Sequence, residues 1–229
     1  MHKIKIAPSL MCADLLHLSD DVQALDAAGV DLYHMDIMDG HFVNNFTLAP
    51  MFISALKKVS KTPFDAHLMI SEPDKYVKDC ADAGASIIAV HIEVVDKLYQ
   101  ITSKIREHGC TPALAVNPAT PLCLLDYILP QVGLVILMTV DPGFAGQEFI
   151  ADVVPKIRAL RKAIEERNLD IDIMVDGQIN ARTIPTVVEA GANVLVVGTS
   201  GLFNLPGTFQ ERVQAIRSQA EATLKASGV

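Results

Sequence analysis

The segment Ala28-Gly29-Val30-Asp31-Leu32-Tyr33-His34-Met35-Asp36 introduces a pattern that recurs three more times along the chain. In each copy a glycine precedes the end of an apolar run by seven residues. The glycines are Gly29, Gly84, Gly133 and Gly191, spaced by 55, 49 and 58 residues, and the runs end at Asp36, His91, Val140 and Gly198. A glycine at this place suits the C-terminal cap of a helix that leads into a buried strand. The pattern therefore predicts four helix–strand junctions.

A second series of apolar runs lies between the members of the first. It covers residues 4–9, 64–69, 112–117 and 171–176. Ser9, His67, Asn117 and Asp176 stand at the ends of these runs, 58, 50 and 59 residues apart. Two interleaved series of four predict eight strands in a regular repeat.

One-sided apolar stripes at helical spacing separate the strands. They comprise Leu15, Leu18, Val22 and Leu25; Val153, Ile157, Leu160 and Ile164; and Phe209, Val213, Ile216 and Ala220. Strand–helix alternation eight times over, without a linker, predicts an α/β fold: a single (β/α)8 TIM barrel over residues 1–229. The alternative is an open doubly wound sheet, but the turn after the first strand lacks the G-x-G-x-x-G pattern of that fold.

Composition narrows the function classes. The chain has 229 residues, half of them hydrophobic, and a net charge of −8, which argues against a nucleic-acid or anionic-membrane partner. No apolar run has the length of a membrane span. The first residues, Met1 to Lys5, lack the apolar core of a signal peptide. The four cysteines are scattered without a C-x-x-C pair, as expected of reduced thiols in the cytoplasm.

Metal-ligand residue types stand at three strand ends. His34 and Asp36 are two residues apart and so share one strand face. His67 and Asp176 end two other strands, and all strand ends of one kind meet at the same mouth of a barrel. Two imidazoles and two carboxylates predict a site for one divalent ion, with zinc first and iron, cobalt or manganese as alternatives. The remaining histidines, His2, His17, His41, His91 and His108, we interpret as surface or supporting residues.

Two of these ligands also suit acid–base chemistry. The strand that carries Asp176 lies across the mouth from the strand that carries Asp36, so the two carboxylates could reach one bound molecule from opposite faces. One Asp would remove a proton next to a ketone and the other would return one to the opposite face. This predicts epimerisation through an enediolate. Met38, Met69 and Met138 would form an apolar collar that excludes water from it.

Glycine-rich loops follow three strands and predict a phosphate site. Glycine lets backbone N–H groups approach an anion closely, and the loops after strands 7 and 8 commonly hold phosphate in these barrels. The candidate contacts are Gly143, Phe144, Ala145, Gly146, Gly177, Gln178, Gly198, Thr199 and Ser200. We also expect the loop over residues 141–147 to close over bound substrate.

Several motifs resemble the ribulose-phosphate 3-epimerase family along nearly the whole chain. They are Ala7-Pro8-Ser9-Leu10, His34-Met35-Asp36-Ile37-Met38-Asp39-Gly40-His41-Phe42, Asp65-Ala66-His67-Leu68-Met69, Asn117-Pro118-Ala119-Thr120-Pro121, Asp141-Pro142-Gly143-Phe144-Ala145-Gly146-Gln147 and Val175-Asp176-Gly177. The resemblance implies a metal site at His34, Asp36, His67 and Asp176. It implies Asp36 and Asp176 as the acid/base pair and Ser9, with His67, as substrate contacts. A homo-oligomer, dimer or hexamer, is expected.

Departures from the family's usual motifs affect the expected substrate. Three segments look more like the D-allulose-6-phosphate 3-epimerase branch: Leu10-Met11-Cys12, Met138-Thr139-Val140-Asp141-Pro142-Gly143-Phe144-Ala145-Gly146-Gln147 and Gly198-Thr199-Ser200-Gly201-Leu202-Phe203. We therefore expect conversion of D-allulose 6-phosphate to D-fructose 6-phosphate. The alternative reaction converts D-ribulose 5-phosphate to D-xylulose 5-phosphate. Non-enzymatic alternatives are a catalytically silent phosphosugar-binding barrel and an interaction scaffold with a structural metal.

Overall fold

A computed structural model describes residues 3–227, and at residue 227 it describes the backbone alone. The strands are β1 (Lys5–Pro8), β2 (Tyr33–Met38), β3 (Phe64–Met69), β4 (Ile87–His91), β5 (Thr111–Val116), β6 (Leu134–Met138), β7 (Asp172–Asp176) and β8 (Val194–Val197). The helices are α1 (Leu18–Ala28), α2 (Pro50–Leu56), α3 (Val77–Ala83), α4 (Leu98–Glu107), α5 (Val153–Glu166), α6 (Ile184–Glu189) and α7 (Phe209–Ser227). The extent of the predicted domain stays a prediction, because its ends, with His2, lie outside the described residues.

The strands form one parallel sheet that closes on itself. Their order is β1-β8-β7-β6-β5-β4-β3-β2, and a parallel bridge between Ser9 and His34 joins the first strand to the second. This closure confirms the predicted TIM barrel and excludes the open doubly wound sheet. The bridge joins the residue after the carboxyl end of β1 to the second residue of β2, and both are predicted site residues.

The helix pattern needs two corrections. Between β5 and β6 the chain forms short 3-10 turns (Leu122–Leu125 and Leu129–Gln131) where an α-helix was expected. Prolines at 121 and 130 account for this, because proline donates no N–H to a helix. Helix α1 begins at Leu18, and Leu15 is 56% exposed and lies outside it. Here the Asp14 carboxylate accepts the N–H of Leu16, which makes a local turn in place of the first helical turn.

Two apolar layers stabilise the barrel. The larger lies between the strands and the surrounding helices and contains residues such as Tyr33, Phe64 and Ile157. The smaller fills the barrel itself with alanines, branched residues and methionines, among them Ala113, Ile136 and Met174. Because side chains alternate along a strand, the residues that follow this inner layer toward the carboxyl ends also face inward. No helix within residues 3–227 has both the length and the apolar character needed to cross a membrane.

Candidate metal centre and active-site cavity

The four predicted metal ligands meet at the carboxyl-terminal mouth of the barrel. His34 and Asp36 come from β2, His67 from β3 and Asp176 from the end of β7. One ligand atom from each lies within 4.8 Å of the ligand atoms of the others. Three of these residues are buried and Asp176 is partly buried. The cluster could therefore hold one metal ion that is reachable from the mouth.

The spacing of the donor atoms suits a small divalent cation. His34 Nε2 lies 3.1 Å from His67 Nδ1 and 3.2 Å from a carboxylate oxygen of Asp36. The Asp176 Oδ2 atom is 3.5 Å from His34 Nε2 and 3.8 Å from His67 Nδ1. Donors at about 2.0–2.2 Å around a tetrahedral zinc ion would be about 3.3–3.6 Å apart, close to these values.

Each inner ligand has a second contact that orients it. The other ring nitrogen of His34, Nδ1, is 2.7 Å from Asp65 Oδ2. The Ser9 hydroxyl donates to Asp36 Oδ2 at 2.5 Å, which leaves Oδ1 facing the histidines. His67 Nε2 is 2.9 Å from His91 Nε2. Such outer contacts fix the ring orientation and the tautomer of a ligand.

Asp65 and His91 are the site residues that the sequence analysis missed. Asp65 is fully buried and precedes His67 by two positions, so strand alternation alone would have placed both on the inward face. His91 was interpreted as a surface or supporting residue. It is fully buried and contacts both His67 and Glu93, so the supporting role is correct and the surface location is wrong.

The electrostatics of the cluster favour a cation. Burial disfavours a charged imidazole, but the neighbouring Asp36, Asp176 and Asp65 hold the pKa of His34 well above its usual range. Burial likewise opposes ionisation of Asp36, yet His34 and His67 hold its pKa well below its usual range. Without a metal, a proton on His34 therefore compensates for the carboxylates. A divalent cation would displace that proton, as metal binding to histidine generally does.

The next histidine outward, His91, differs from His34 in its protonation. Burial lowers the pKa of His91 to about 4, so this imidazole is neutral. Burial would raise the pKa of Glu93, but hydrogen bonds from His91, Thr120 and the Asn117 N–H lower it to about 2. A neutral histidine thus lies between the metal cluster and an ionised glutamate.

A cavity opens above the cluster toward solvent. The predicted substrate contacts other than His67 all line it, together with both acid/base candidates: Ser9, Asp36, Met38, Met69, Met138, Gly143, Phe144, Ala145, Gly146, Asp176, Gly177, Gln178, Gly198, Thr199 and Ser200. His67 lies beneath, within the buried cluster. Additional lining residues include Met11, Cys12 and Val140. The structure therefore brings the predicted contacts together in one place.

Two loop positions explain why the backbone can approach a ligand here. Gly177 has a φ of +119°, and a Cβ at this position would lie 2.6 Å from a Val140 methyl group. Gln178 follows with a φ of +52°, a region that favours glycine. Its side-chain oxygen accepts a hydrogen bond from Ser200 at 2.8 Å. This bond connects the loop after β7 to the turn after β8.

The loop over residues 141–147 also lines the cavity. The Asn45 side chain donates to the Gly143 carbonyl at 2.8 Å, and the Gln147 side chain donates to the carbonyls of Asp141 and Phe144. Phe144 is 56% exposed. The loop therefore rests on few contacts beside an open mouth.

A closed parallel barrel, with a His/Asp cluster and two opposed carboxylates at its carboxyl-terminal mouth, has the layout of a TIM-barrel enzyme that moves protons beside a metal. Residues 5–203 match the model of the ribulose-phosphate 3-epimerase family. The chain belongs to this family, an epimerase family of the isomerase class, as the motifs predicted.

Curated relatives agree. The chain is 45% identical to the ribulose-phosphate 3-epimerase of Synechocystis sp., covering 94% of each chain. It is 42% identical to the protein of the same name from Bacillus subtilis, covering 86% of this chain and 91% of the relative. The Escherichia coli K12 protein is 40% identical over 96% of this chain and 97% of its own.

Solved structures support the fold. A mutant tryptophan synthase α-subunit from Pyrococcus furiosus aligns with a TM-score of 0.65 and 19% identity, covering 98% of this chain and all of that one. At this identity the likeness concerns the barrel architecture alone.

Proposed function

We propose that this protein catalyses metal-dependent 3-epimerisation of a phosphorylated ketose, with D-ribulose 5-phosphate and D-xylulose 5-phosphate as the interconverted pair. The observation that carries the proposal is the convergence of Asp36 and Asp176, from β2 and β7, on the same pair of histidines. The names of the curated relatives support the pentose substrate. The allulose 6-phosphate substrate expected from the motifs has no such support among them.

The carboxylates would carry the protons. Asp36 and Asp176 reach His34 and His67 from β2 and β7, two strands that are not adjacent in the barrel. Removal and return of a proton on opposite faces of one carbon requires two such separate groups. Ser9 donates to the outer oxygen of Asp36 and so orients it. Asp176, which is partly exposed, would exchange its proton with solvent more readily than Asp36.

His34, Asp36, His67 and Asp176 would hold the metal. When bound, the ion would stabilise the negative charge that develops on the ketone oxygen. We propose zinc, since two imidazoles and two carboxylates at these spacings suit it, and iron, cobalt and manganese remain compatible with the same donors.

The phosphate would bind where three loops meet. Gly143 to Gly146, Gly177 and the turn from Gly198 to Ser200 all line the cavity. Glycines at these positions allow backbone N–H groups to face an anion. The methionine side chains Met38 and Met69 pack together with Val43 and would exclude water from the reacting carbon.

A second substrate, D-allulose 6-phosphate, is favoured by the positions of the family departures. Cys12, Gln178, Thr199 and Ser200 all line the cavity. A substrate longer by one carbon would have to be accommodated there, and one methylene-sized group is worth only about 1–3 kcal/mol of discrimination. We therefore expect measurable turnover of both sugars.

The test has two parts. In heavy water, deuterium should enter C3 of recovered D-ribulose 5-phosphate, and its absence with every metal tried would leave the silent binding barrel or the structural-metal scaffold. The ratio of kcat/KM for the two phosphorylated ketoses then decides the substrate. A ratio that favours D-ribulose 5-phosphate supports the proposal, and the reverse supports the second candidate.

The mobile element of the site would be the loop over residues 141–147. Gly146 has a φ of +87°, and no atom lies within 4 Å of a Cβ at this position, so the strain in Gly146→Val would come from its backbone. This variant should lower turnover of the phosphorylated sugar and retain the metal. Structures with and without substrate that show the same loop conformation would contradict closure.

We expect the protein to be a cytoplasmic homo-oligomer, either a dimer or a hexamer.

A further inference from the structure

A line of buried hydrogen bonds leads away from the metal cluster through His67. The Nδ1 atom of His67 faces the cluster, 3.1 Å from His34 Nε2. Its Nε2 atom lies 2.9 Å from Nε2 of His91, and the two rings are inclined by 25° with their centroids 5.0 Å apart. His91 Nδ1 in turn lies 3.2 Å from Glu93 Oε2. Both histidines are fully buried, so water does not reach these nitrogens.

The direction of these hydrogen bonds follows from the role of His67. A nitrogen that binds a metal must offer a lone pair, so His67 would carry its proton on Nε2. That proton is donated to Nε2 of His91, which must then accept. A neutral His91 consequently carries its own proton on Nδ1 and donates it to Glu93 Oε2. One carboxylate at the end of the line thus determines the position of every proton in it.

Glu93 is held so that only one of its oxygens faces His91. Its other oxygen, Oε1, accepts the Asn117 N–H at 2.8 Å and the Thr120 hydroxyl at 2.6 Å. The Lys156 ammonium, on α5, donates to the carbonyls of residues 117, 118 and 120 and fixes this turn. The carboxylate therefore has a fixed orientation, with two donors on one oxygen and His91 on the other.

We propose that Glu93, acting through His91, is a positioning residue that keeps the His67 proton on Nε2 and so leaves Nδ1 free to bind the metal. The two histidine ligands would then be oriented differently. His34 contacts the carboxylate of Asp65 directly, whereas His67 reaches a carboxylate through a second imidazole. This inference rests on the metal site of the proposed function and does not depend on which sugar is the substrate.

Glu93→Gln is the sharpest test because it reverses the direction of the hydrogen bonds along this line, while the side chain keeps its shape. The amide oxygen would remain with its two donors, Asn117 N–H and the Thr120 hydroxyl. The amide NH2 would then point at His91 Nδ1 and force that nitrogen to accept. His91 would donate from Nε2, and His67 would have to move its proton to Nδ1, the atom that should bind the metal.

We expect Glu93→Gln to weaken binding of Zn²⁺ and of Co²⁺, titrated into the metal-free full chain, by about 10–100-fold, the usual effect of losing an outer contact to a ligand. The visible bands of the Co²⁺ form should shift. In ¹⁵N spectra of the metal-free variant, the His67 proton should appear on Nδ1. The matched control is Thr120→Val, which also removes a hydrogen bond to Glu93 but leaves Oε2 and its partner unchanged; it should bind both metals as the wild type does.

The proposal is overturned if Glu93→Gln binds both metals like the wild type, or if Thr120→Val is weakened equally, since Glu93 would then be only structural. Should Glu93→Gln fail to fold, the Zn²⁺-loaded wild type still decides. Its ¹⁵N spectrum should show the His91 proton on Nδ1, and a proton on Nε2 would refute the proposal. Metal binding with the expected tautomers but no epimerisation would instead contradict the proposed function alone.

Discussion

At the amino end of β7, Asp172 lies 2.5 Å from the ammonium of Lys5, whereas at its carboxyl end Asp176 faces two histidines. The two carboxylates are four residues apart on one strand and share its inward face. At the amino end the chain supplies its own cations: Lys5 pairs with Asp172, and Arg217 and Lys3 pair with Asp31. Among the described residues, the side chains in ion-pair contact with Asp36, Asp65 and Asp176 are imidazoles.

This difference separates stability from function within one barrel. The partly buried carboxylates of Asp172 and Asp31 already have their counter-charges within the chain. Three carboxylates that share two histidines need a further positive charge, and the mouth of the barrel gives a divalent cation access to it. Excess negative charge is thus the chemical signature of the metal centre.

Substituting the carboxylate at each end of β7 in turn should separate function from stability most strongly. Asp176→Asn should reduce epimerisation in both directions by about 10²–10⁴-fold, the usual contribution of a general acid or base, with further loss from weaker metal binding. Its fold should stay intact by circular dichroism. The matched variant Asp172→Asn should retain the activity and the metal. Wild-type turnover in metal-loaded Asp176→Asn would contradict the assignment.

The amino end can be weakened without touching the mouth. Arg161 on α5 is buried and donates to the Gly191 carbonyl and to Asn193 Oδ1, both at 2.9 Å from its Nη2. Arg161→Met should lower the free energy of unfolding by about 3 kcal/mol, because the Gly191 carbonyl loses its guanidinium donors and Asn193 Oδ1 is left with the Ile173 N–H. Urea titration measures this, with the exposed Arg158→Met on the same helix as control. Equal stability of the two variants would show that the amino end is not held by these bonds.

Removing the metal should affect only the carboxyl end. A ligand that binds the folded state at 100 times its Kd adds about 2.7 kcal/mol of stability, or about 5–10 °C in Tm for a chain of this size. Adding a chelator to the metal-loaded protein should therefore lower Tm by about this amount. The same experiment on Asp176→Asn should give a smaller shift, and an equal shift would place the metal elsewhere.

The smallest effect concerns acid stability at the amino end. Burial opposes ionisation of Asp31, but Arg217, the Ile6 N–H and Lys3 together lower its pKa below the ordinary value of 3.8. A carboxylate with a lowered pKa stabilises the folded state above its unfolded-state pKa, and this contribution is lost as pH falls through the folded-state pKa. Between pH 5 and pH 3, unfolding free energy should therefore fall less steeply in Asp31→Asn than in wild type. Identical slopes would refute the assignment.

The strand ends could be predicted from sequence because each unit of the repeat consists of residues that are close together along the chain. The two interleaved series of apolar runs, and the alternation along each strand, placed His34, Asp36, His67 and Asp176 at one mouth. The link between His67 and His91 could not be predicted in the same way. In the β3–β4 pair His67 is opposite Ala89, so His91 is one inward position further along its strand, and that stagger belongs to barrel closure.

Other differences have equally specific causes. The stripe that included Leu15 satisfied helical spacing, but the Asp14 side chain bonds the backbone locally and delays the helix. The segment before β6 carries apolar residues like its counterparts, yet prolines limit it to 3-10 turns. In both places, one short-range hydrogen-bonding constraint outweighs a correct hydrophobic pattern.

The junction between β1 and β2 determines the order in which contacts form during synthesis. Arg217 on α7 donates to the carbonyls of Ile4 and Gly29 and pairs with Asp31, so α7 contacts residues that leave the ribosome well before it does. At about 5–20 residues per second, roughly 200 residues separate the two partners by 10 seconds or more. Throughout that interval His34 and Asp36 have been synthesised, but the barrel that positions them lacks the Arg217 contacts. A nascent chain therefore acquires the Arg217 contacts beside β1 and β2 only after α7 has emerged.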